Sequence, residues 1–311
     1  MKLSYSIYIR TLGNGGEKYC RLLRSIDLQT IKPKEIVVVL PVGYEPPKER
    51  LGYERFEFSA KGMVKQRIFS IDRAETPYIL LLDDDVEFEP EYVEKIFTTM
   101  VKAKAQCCIP IIYDDSLHPS FLRRAVENFV GIATYKNTHD NYYIKINRSG
   151  GLILNNKLEQ DIQYYSQTGH GSNCFAEAKV LKKIHFEDEL WLEDSGYALP
   201  DDQVMFYKIY QSGYKIAVCQ DVYFRHLNAA STNDGKRYIK MVKAKAGNYL
   251  IFWYKFLYRD KTGFNKLLSI LSICHRLFWE CLFCIIKYHN FKVCKTLYLG
   301  LKYGLTYIKQ H

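Results

Sequence analysis

Most constraining is the order of three apolar runs within the first 85 residues. Ser4–Arg10 (SYSIYIR), Glu35–Leu40 (EIVVVL) and Tyr78–Leu82 (YILLL) have the length of strands, and the last two are continuous enough for strands covered on both faces. Between them Tyr19, Leu22, Leu23 and Ile26 recur at helical spacing after the turn Gly13-Asn14-Gly15-Gly16, and Pro33 ends that helix. Pro41-Val42-Gly43 and Pro46-Pro47 read as a loop, and a second helical stretch is predicted over Gly62–Arg73. Strand, helix, strand, helix, strand predicts right-handed βαβ units and a parallel sheet. Such sheets bind ligands beyond the carboxyl ends of their strands, and there the third run ends in Asp83-Asp84-Asp85.

Three adjacent carboxylates repel one another and need a cation or hydrogen-bond donors to be held together. In an extended chain Asp83 and Asp85 point the same way, so both can approach one ion. Their oxygens suit a hard divalent cation, Mn²⁺ or Mg²⁺, which shares phosphate oxygens as further ligands. The competing reading is a solvated acidic turn or helix cap.

Farther along, a helix is predicted over Glu91–Lys104 and a strand over 107–112, then β-ribbon and loops across 114–170. Helices follow over Val180–Ile184 and Val204–Gln211, with one strand over Lys215–Phe224. Asp201-Asp202 stands where it would cap the second of these helices.

In this order the segments resemble family 2 glycosyltransferases. The matching positions are Arg10-Thr11, Gln29-Thr30, Gln66-Arg67 and Asp83-x-Asp85-Val86. In the second half they are Gly169–Phe175, Phe186-Glu187-Asp188-Glu189, Asp201-Asp202, Gly213-Tyr214-Lys215-Ile216 and Arg225-His226. The resemblance spans roughly residues 4–230. It implies a GT-A fold, Rossmann-like, with a mostly parallel sheet and flanking helices. It also implies an inverting, metal-dependent transfer of a sugar from a nucleotide-sugar donor, UDP-linked by preference, to an acceptor hydroxyl on a lipid-linked glycan. Asp202 would be the general base, Asp83, Asp85 and His226 the metal ligands, and Arg10, Thr11, Arg67, Asp83 and Asp84 the donor contacts. Two departures bear on base recognition: Leu40-Pro41 stands where the family often has an aspartate, and Arg10-Thr11-Leu12 replaces Pro-Thr-Tyr.

The charge is uneven. Residues 236–311 carry 15 Lys and Arg against two acids, leaving 29 against 32 over residues 1–235. A near-neutral body (1–235) thus carries a basic helical tail (236–311), and the resemblance implies that the body is the catalytic domain, with a nucleotide-sugar-binding half (1–112) and an acceptor-binding half (113–235). Leu267–Ile286 has a spanning helix's length, but His275, Arg276 and Glu280 interrupt it, so an in-plane helix on an anionic membrane surface is expected. The alternative is a lid that completes the core. No nucleic-acid-binding motif accompanies the charge. Met1–Ser6 runs straight into a strand pattern, and nine cysteines without framework spacing fit reduced thiols; a cytoplasmic location on the inner membrane face is therefore expected. Cys281-x-x-Cys284 lacks the second pair a zinc site needs and is expected to pack in the core. Two rival functions are a sugar nucleotidyltransferase, for which Gly13–Lys18 weakly imitates the phosphate loop, and a non-catalytic nucleotide- or glycan-binding subunit.

Overall fold

The computed structural model describes residues 3–111, 120–136, 140–227, 235–288 and 291–311. The predicted βαβ units are present. Strands β1 (Tyr5–Arg10), β2 (Glu35–Pro41), β3 (Arg55–Ser59) and β4 (Tyr78–Asp83) run parallel in the spatial order β3-β2-β1-β4. Helices α1 (Glu17–Asp27) and α2 (Met63–Arg73) lie in the β1–β2 and β3–β4 connections. Because side chains alternate along a strand, the same runs supply two cores. Ile7, Ile9, Val38, Leu40, Leu80 and Leu82 pack with Leu22 and Ile26 of α1, whereas Tyr8, Val37, Val39, Ile79 and Leu81 pack with Val64 and Ile71 of α2. The strand order reverses at β1, whose neighbours β2 and β4 lie on opposite sides. A crevice therefore opens at the carboxyl ends of β1 and β4, where Arg10 is paired in register with Asp83.

The chain continues through β5 (Val86–Phe88), α3 (Tyr92–Lys102), β6 (Cys107–Pro110), α4 (Phe121–Val130), β7 (Ala133–Lys136), β8 (Tyr142–Ile146), β9 (Leu152–Asn155), β10 (Tyr165–Ser166) and β11 (Asn173–Glu177). Next come α5 (Ala178–Lys183), a 3-10 turn (Phe186–Glu189), α6 (Trp191–Asp194), α7 (Asp201–Gln211), β12 (Ile216–Cys219) and β13 (Phe224–His226). The main sheet is mixed, ordered β3-β2-β1-β4-β11-β6-β12-β10-β8-β9-β7, with β11 antiparallel to both β4 and β6.

Two strands arise in segments given no element, and two local expectations are corrected. Arg55–Ser59, between the expected loop and the expected helix, forms an edge strand, because pairing with β2 completes its ladder. Asn173–Glu177, which overlaps the matching segment Gly169–Phe175, lies in the centre of the sheet. The single strand predicted over Lys215–Phe224 is two: β13 leaves the main sheet and pairs antiparallel with β5. Within the expected β-ribbon lies α4, started by Ser120, whose hydroxyl accepts from the Arg123 amide, and ended by Gly131 at φ 83°. The part of the strand predicted at residue 112 lies outside the described residues.

After residue 235 the chain is helical: α8 (Gly235–Phe252), a π-helical turn (Trp253–Tyr258), α9 (Gly263–Tyr288) and α10 (Phe291–Gln310). Leu250, Ile251, Phe252, Trp253 and Leu257 belong to the same core as α2 and α7. The buried Asn248 amide nitrogen donates to the Leu199 carbonyl at 2.7 Å and lies 3.1 Å from that of Leu192. Helix α10 crosses α8 closely, because a Cβ at Gly300 would lie 2.5 Å from the Lys243 carbonyl.

Candidate active site

Asp83 ends β4, and Asp84-Asp85 turns the chain into β5. The β5–β13 ladder sets His226 opposite Val86, and the Leu227 amide donates to the Asp85 carbonyl at 2.7 Å. His226 Nε2 thereby lies 3.1 Å from Asp85 Oδ1. Ligand atoms of Asp83, Asp85 and His226 all lie within 4.8 Å of one another. Two carboxylates and an imidazole at this spacing fit a divalent cation such as Mn²⁺. Asp83 has a second partner. Arg10 donates to it from Nε and, at 3.2 Å, from a terminal nitrogen to Oδ2. Burial opposes ionisation of Asp83, but the adjoining guanidinium outweighs it and holds the carboxyl below the usual range. Each Asp83 oxygen keeps a second lone pair, whereas Asp85 faces His226 directly. Asp84 points elsewhere and accepts from the Thr11 hydroxyl. Burial pushes its carboxyl up to about 6, helped by the charges of Asp85 and Asp83 and opposed by the Thr11 bond.

Arg10 also reaches Asp201 at 3.1 Å, and Arg67 meets the same Oδ2 at 2.8 Å. Arg67 is 2% exposed and spends another nitrogen on the Gly171 carbonyl at 3.0 Å. Both arginines matched to donor-binding positions are thus bound to Asp201, a residue to which the sequence assigns no separate part. Three elements, β1, α2 and α7, are tied by this one carboxylate. Asp201→Ala would leave two guanidiniums facing each other with one compensating charge removed. The expected cost is about 3–5 kcal/mol, and melting should fall on the order of 10 °C. An unchanged melting temperature in scanning calorimetry would show that the arginines find other partners.

Asp202 does not cap the helix: α7 begins at Asp201, Pro200 holds the cap position, and no side-chain cap bond forms. Asp202 Oδ1 instead accepts the Gln203 amide at 2.8 Å, and Oδ2 accepts the Gly171 amide at 3.1 Å. Burial, then the charge of Asp201, raises its carboxyl above the usual aspartate range, with His170 and Arg67 acting in the opposite sense. Gly171 admits no side chain, since a Cβ would lie 2.8 Å from Asp202 Cβ. The adjacent His170 bonds Ser172 Oγ at 2.9 Å, and its ring centroid is 5.2 Å from that of His226. The 170–172 turn therefore joins Asp202 to the acidic cluster. The sequence motif Gly169–Phe175 marks this turn without revealing His170's place between the two.

A doubly wound sheet with an acidic cluster at its switch point, continued by a mixed sheet and helices, defines the GT-A class of glycosyltransferase folds. Residues 47–180, which contain β4 and the three aspartates, match the model described as glycosyl transferase family 2. Among solved structures, GalNAc-T7 in complex with UDP, GalNAc and Mn²⁺ superposes at TM-score 0.54 and 14% identity, covering 93% of this chain and 58% of that one. The chain thus spans less than two thirds of that relative. TarS residues 1–349 from S. aureus align at TM-score 0.47 and 13% identity over 99% of this chain and 92% of that one. No curated protein matches by sequence.

Proposed function

We propose that the protein is an inverting glycosyltransferase that uses a nucleotide-sugar donor, UDP-linked, and a sugar hydroxyl on a lipid-linked glycan as acceptor. One observation carries the reading: the 170–172 turn brings a half-buried aspartate with a raised pKa, Asp202, up to the Asp83–Asp85–His226 cluster. A sugar hydroxyl is a weak nucleophile near neutral pH, and a positioned carboxylate that takes its proton as the bond forms removes that obstacle. Asp202 is held for this by two backbone amides, Gly171 and Gln203. A divalent cation at Asp85 and His226, with Asp83, would neutralise charge on the leaving diphosphate. GalNAc-T7, which shares the fold, was solved with Mn²⁺ and UDP, and this supports the same donor class here. A single base acting opposite the leaving group, with no carboxylate nucleophile required, predicts inversion at the anomeric carbon.

The nucleotidyltransferase alternative loses ground at its phosphate loop. The Gly16 amide is taken by Glu49 at 3.0 Å, and a carboxylate in that place repels a phosphate. The test is a donor-hydrolysis screen across nucleotide sugars in Mn²⁺ or Mg²⁺. Release of nucleoside diphosphate from one donor is the expected outcome. Release of pyrophosphate from a nucleoside triphosphate and a sugar phosphate would instead identify the rival.

A further inference from the structure

We infer that the outward faces of α4, α9 and α10 form one docking surface for an anionic lipid bilayer, lying along the membrane plane. The polarity of α9 is reversed relative to that of a helix on a soluble protein. Two of its polar side chains turn inward: Arg276, only 4% exposed, donates to the Ser149 carbonyl at 3.0 Å and pairs with Glu280 at 3.1 Å, while Ser269 accepts from the Trp253 indole at 3.0 Å. Its outward stripe is Phe264, Leu267, Leu271, Phe278 and Ile285, spaced by threes, fours and sevens, with Phe264 72% exposed and Phe278 62% exposed. In water this arrangement is unfavourable, since it hides charge and shows a long apolar stripe. At a bilayer it is the favourable arrangement.

The neighbouring helix from the acceptor half extends the surface. Phe129 of α4 packs on Trp279 with ring centroids 4.9 Å apart, and its carbonyl meets His275 Nε2 at 2.8 Å. Beyond this contact α4 presents Phe121 at 88% and Leu122 at 74% exposure. Helix α10, packed against the far end of α9 through Val293 and Leu297 with Cys281 and Cys284, supplies the charge. Its outward side interleaves Lys295, Lys302 and Lys309 with Tyr298 and Leu305, all exposed. Cations beside exposed aromatic and aliphatic groups are complementary to anionic headgroups above an acyl layer.

The 24-residue segment Gly263–Ile286 is long and apolar enough to cross a membrane, but its middle is anchored to the body by Ser269, Ile273, His275 and Arg276. An in-plane position keeps those contacts; a crossing breaks them. The surface also lies close to the chemistry. Arg276 holds Ser149, the next carbonyl, Gly150, accepts from the Gln203 side chain at 3.0 Å, and Gln203's amide holds Asp202. A lipid-borne acceptor arriving along this plane would reach the base side of the crevice. That last step rests on the proposed function; the docking surface does not.

Vesicle flotation of the full chain tests it. Vesicles of phosphatidylcholine with phosphatidylglycerol should carry the protein up, and phosphatidylcholine alone should do so poorly. Replacing Lys295, Lys302 and Lys309 by Gln should weaken partitioning by about fivefold per lysine. The double change Phe121→Ser and Leu122→Ser, far from the tail in sequence, should weaken it by at least tenfold, and Phe264→Ser with Phe278→Ser likewise. These positions are exposed, so circular dichroism and hydrolysis of a soluble donor should match wild type. Unchanged flotation in the α4 variant would overturn the surface as drawn. Resistance to carbonate extraction would show a spanning helix instead. A lipid-independent dimer that the same serine variants dissociate would show that a second copy covers the face.

Discussion

Asp85→Asn should eliminate tight Mn²⁺ uptake and, with it, turnover of the nucleotide sugar. Asp85 is the cluster's carboxylate that faces His226, at 3.1 Å, whereas Asp83 already shares both oxygens with Arg10. An amide of the same shape keeps the backbone bond from Leu227 to the Asp85 carbonyl, so the fold should survive while the site loses its charge. Loss of a mere supporting partner around a metal costs about 10–100-fold in affinity. Loss of the ligand itself should exceed that, and isothermal calorimetry or Mn²⁺ resonance would read it. In wild type, EDTA should stop turnover and added Mn²⁺ restore it. Full activity in EDTA would sink the metal assignment.

The second large effect is expected at Asp202. Asp202→Asn should reduce transfer by about 10²–10⁴-fold while Mn²⁺ and nucleotide binding stay at wild-type levels. One of its two amide donors would then face an NH₂ group, a loss of about 1 kcal/mol in stability, too small to explain such a fall. The pH profile separates a base from a scaffold residue. A base works only when ionised, and burial together with Asp201 raises this carboxyl. Wild-type transfer should therefore fall with acidification at a pH above the usual aspartate range, and the Asn variant should lose that limb. Normal transfer by Asp202→Asn, with failure of Asp188 or Glu189 variants, would move the base elsewhere. The geometry speaks against Glu189. It is completely buried between Lys208 and Lys255, each at 2.7 Å, and takes the Trp191 indole at 2.6 Å, so it anchors the 3-10 turn.

The central strands were legible because their information is local. YILLL is apolar throughout, as a short strand covered on both faces is, and the aspartates follow directly at its carboxyl end. Helices α2 and α3 were legible within one or two residues, whereas α1, marked by its spacing, ends at Asp27, well before the Pro33 expected to end it. Edge strand β3 and central strand β11 were not, since a five-residue segment becomes a strand only when a neighbour completes its hydrogen bonds. Helix α4 carried cap signals in Ser120 and Gly131 and an apolar stripe of Phe121, Leu122, Val126 and Phe129 at helical spacing; only the structure turns that stripe outward.

The site divides in the same way. The sequence by itself determined which residue types stand at the strand ends and that the basic charge is gathered after residue 235. Tertiary structure alone decided their partners. Arg10, Arg67 and Asp201 are far apart in the chain, and only the packing of β1, α2 and α7 joins them into one buried network. His226 meets Asp85 because β13 leaves the main sheet for β5. Tail residues Leu250–Leu257 are core, and the outward face of α9 is apolar, because Arg276 finds Ser149 inside. Composition along a helix shows that two faces differ; which face turns inward depends on partners brought from elsewhere in the chain.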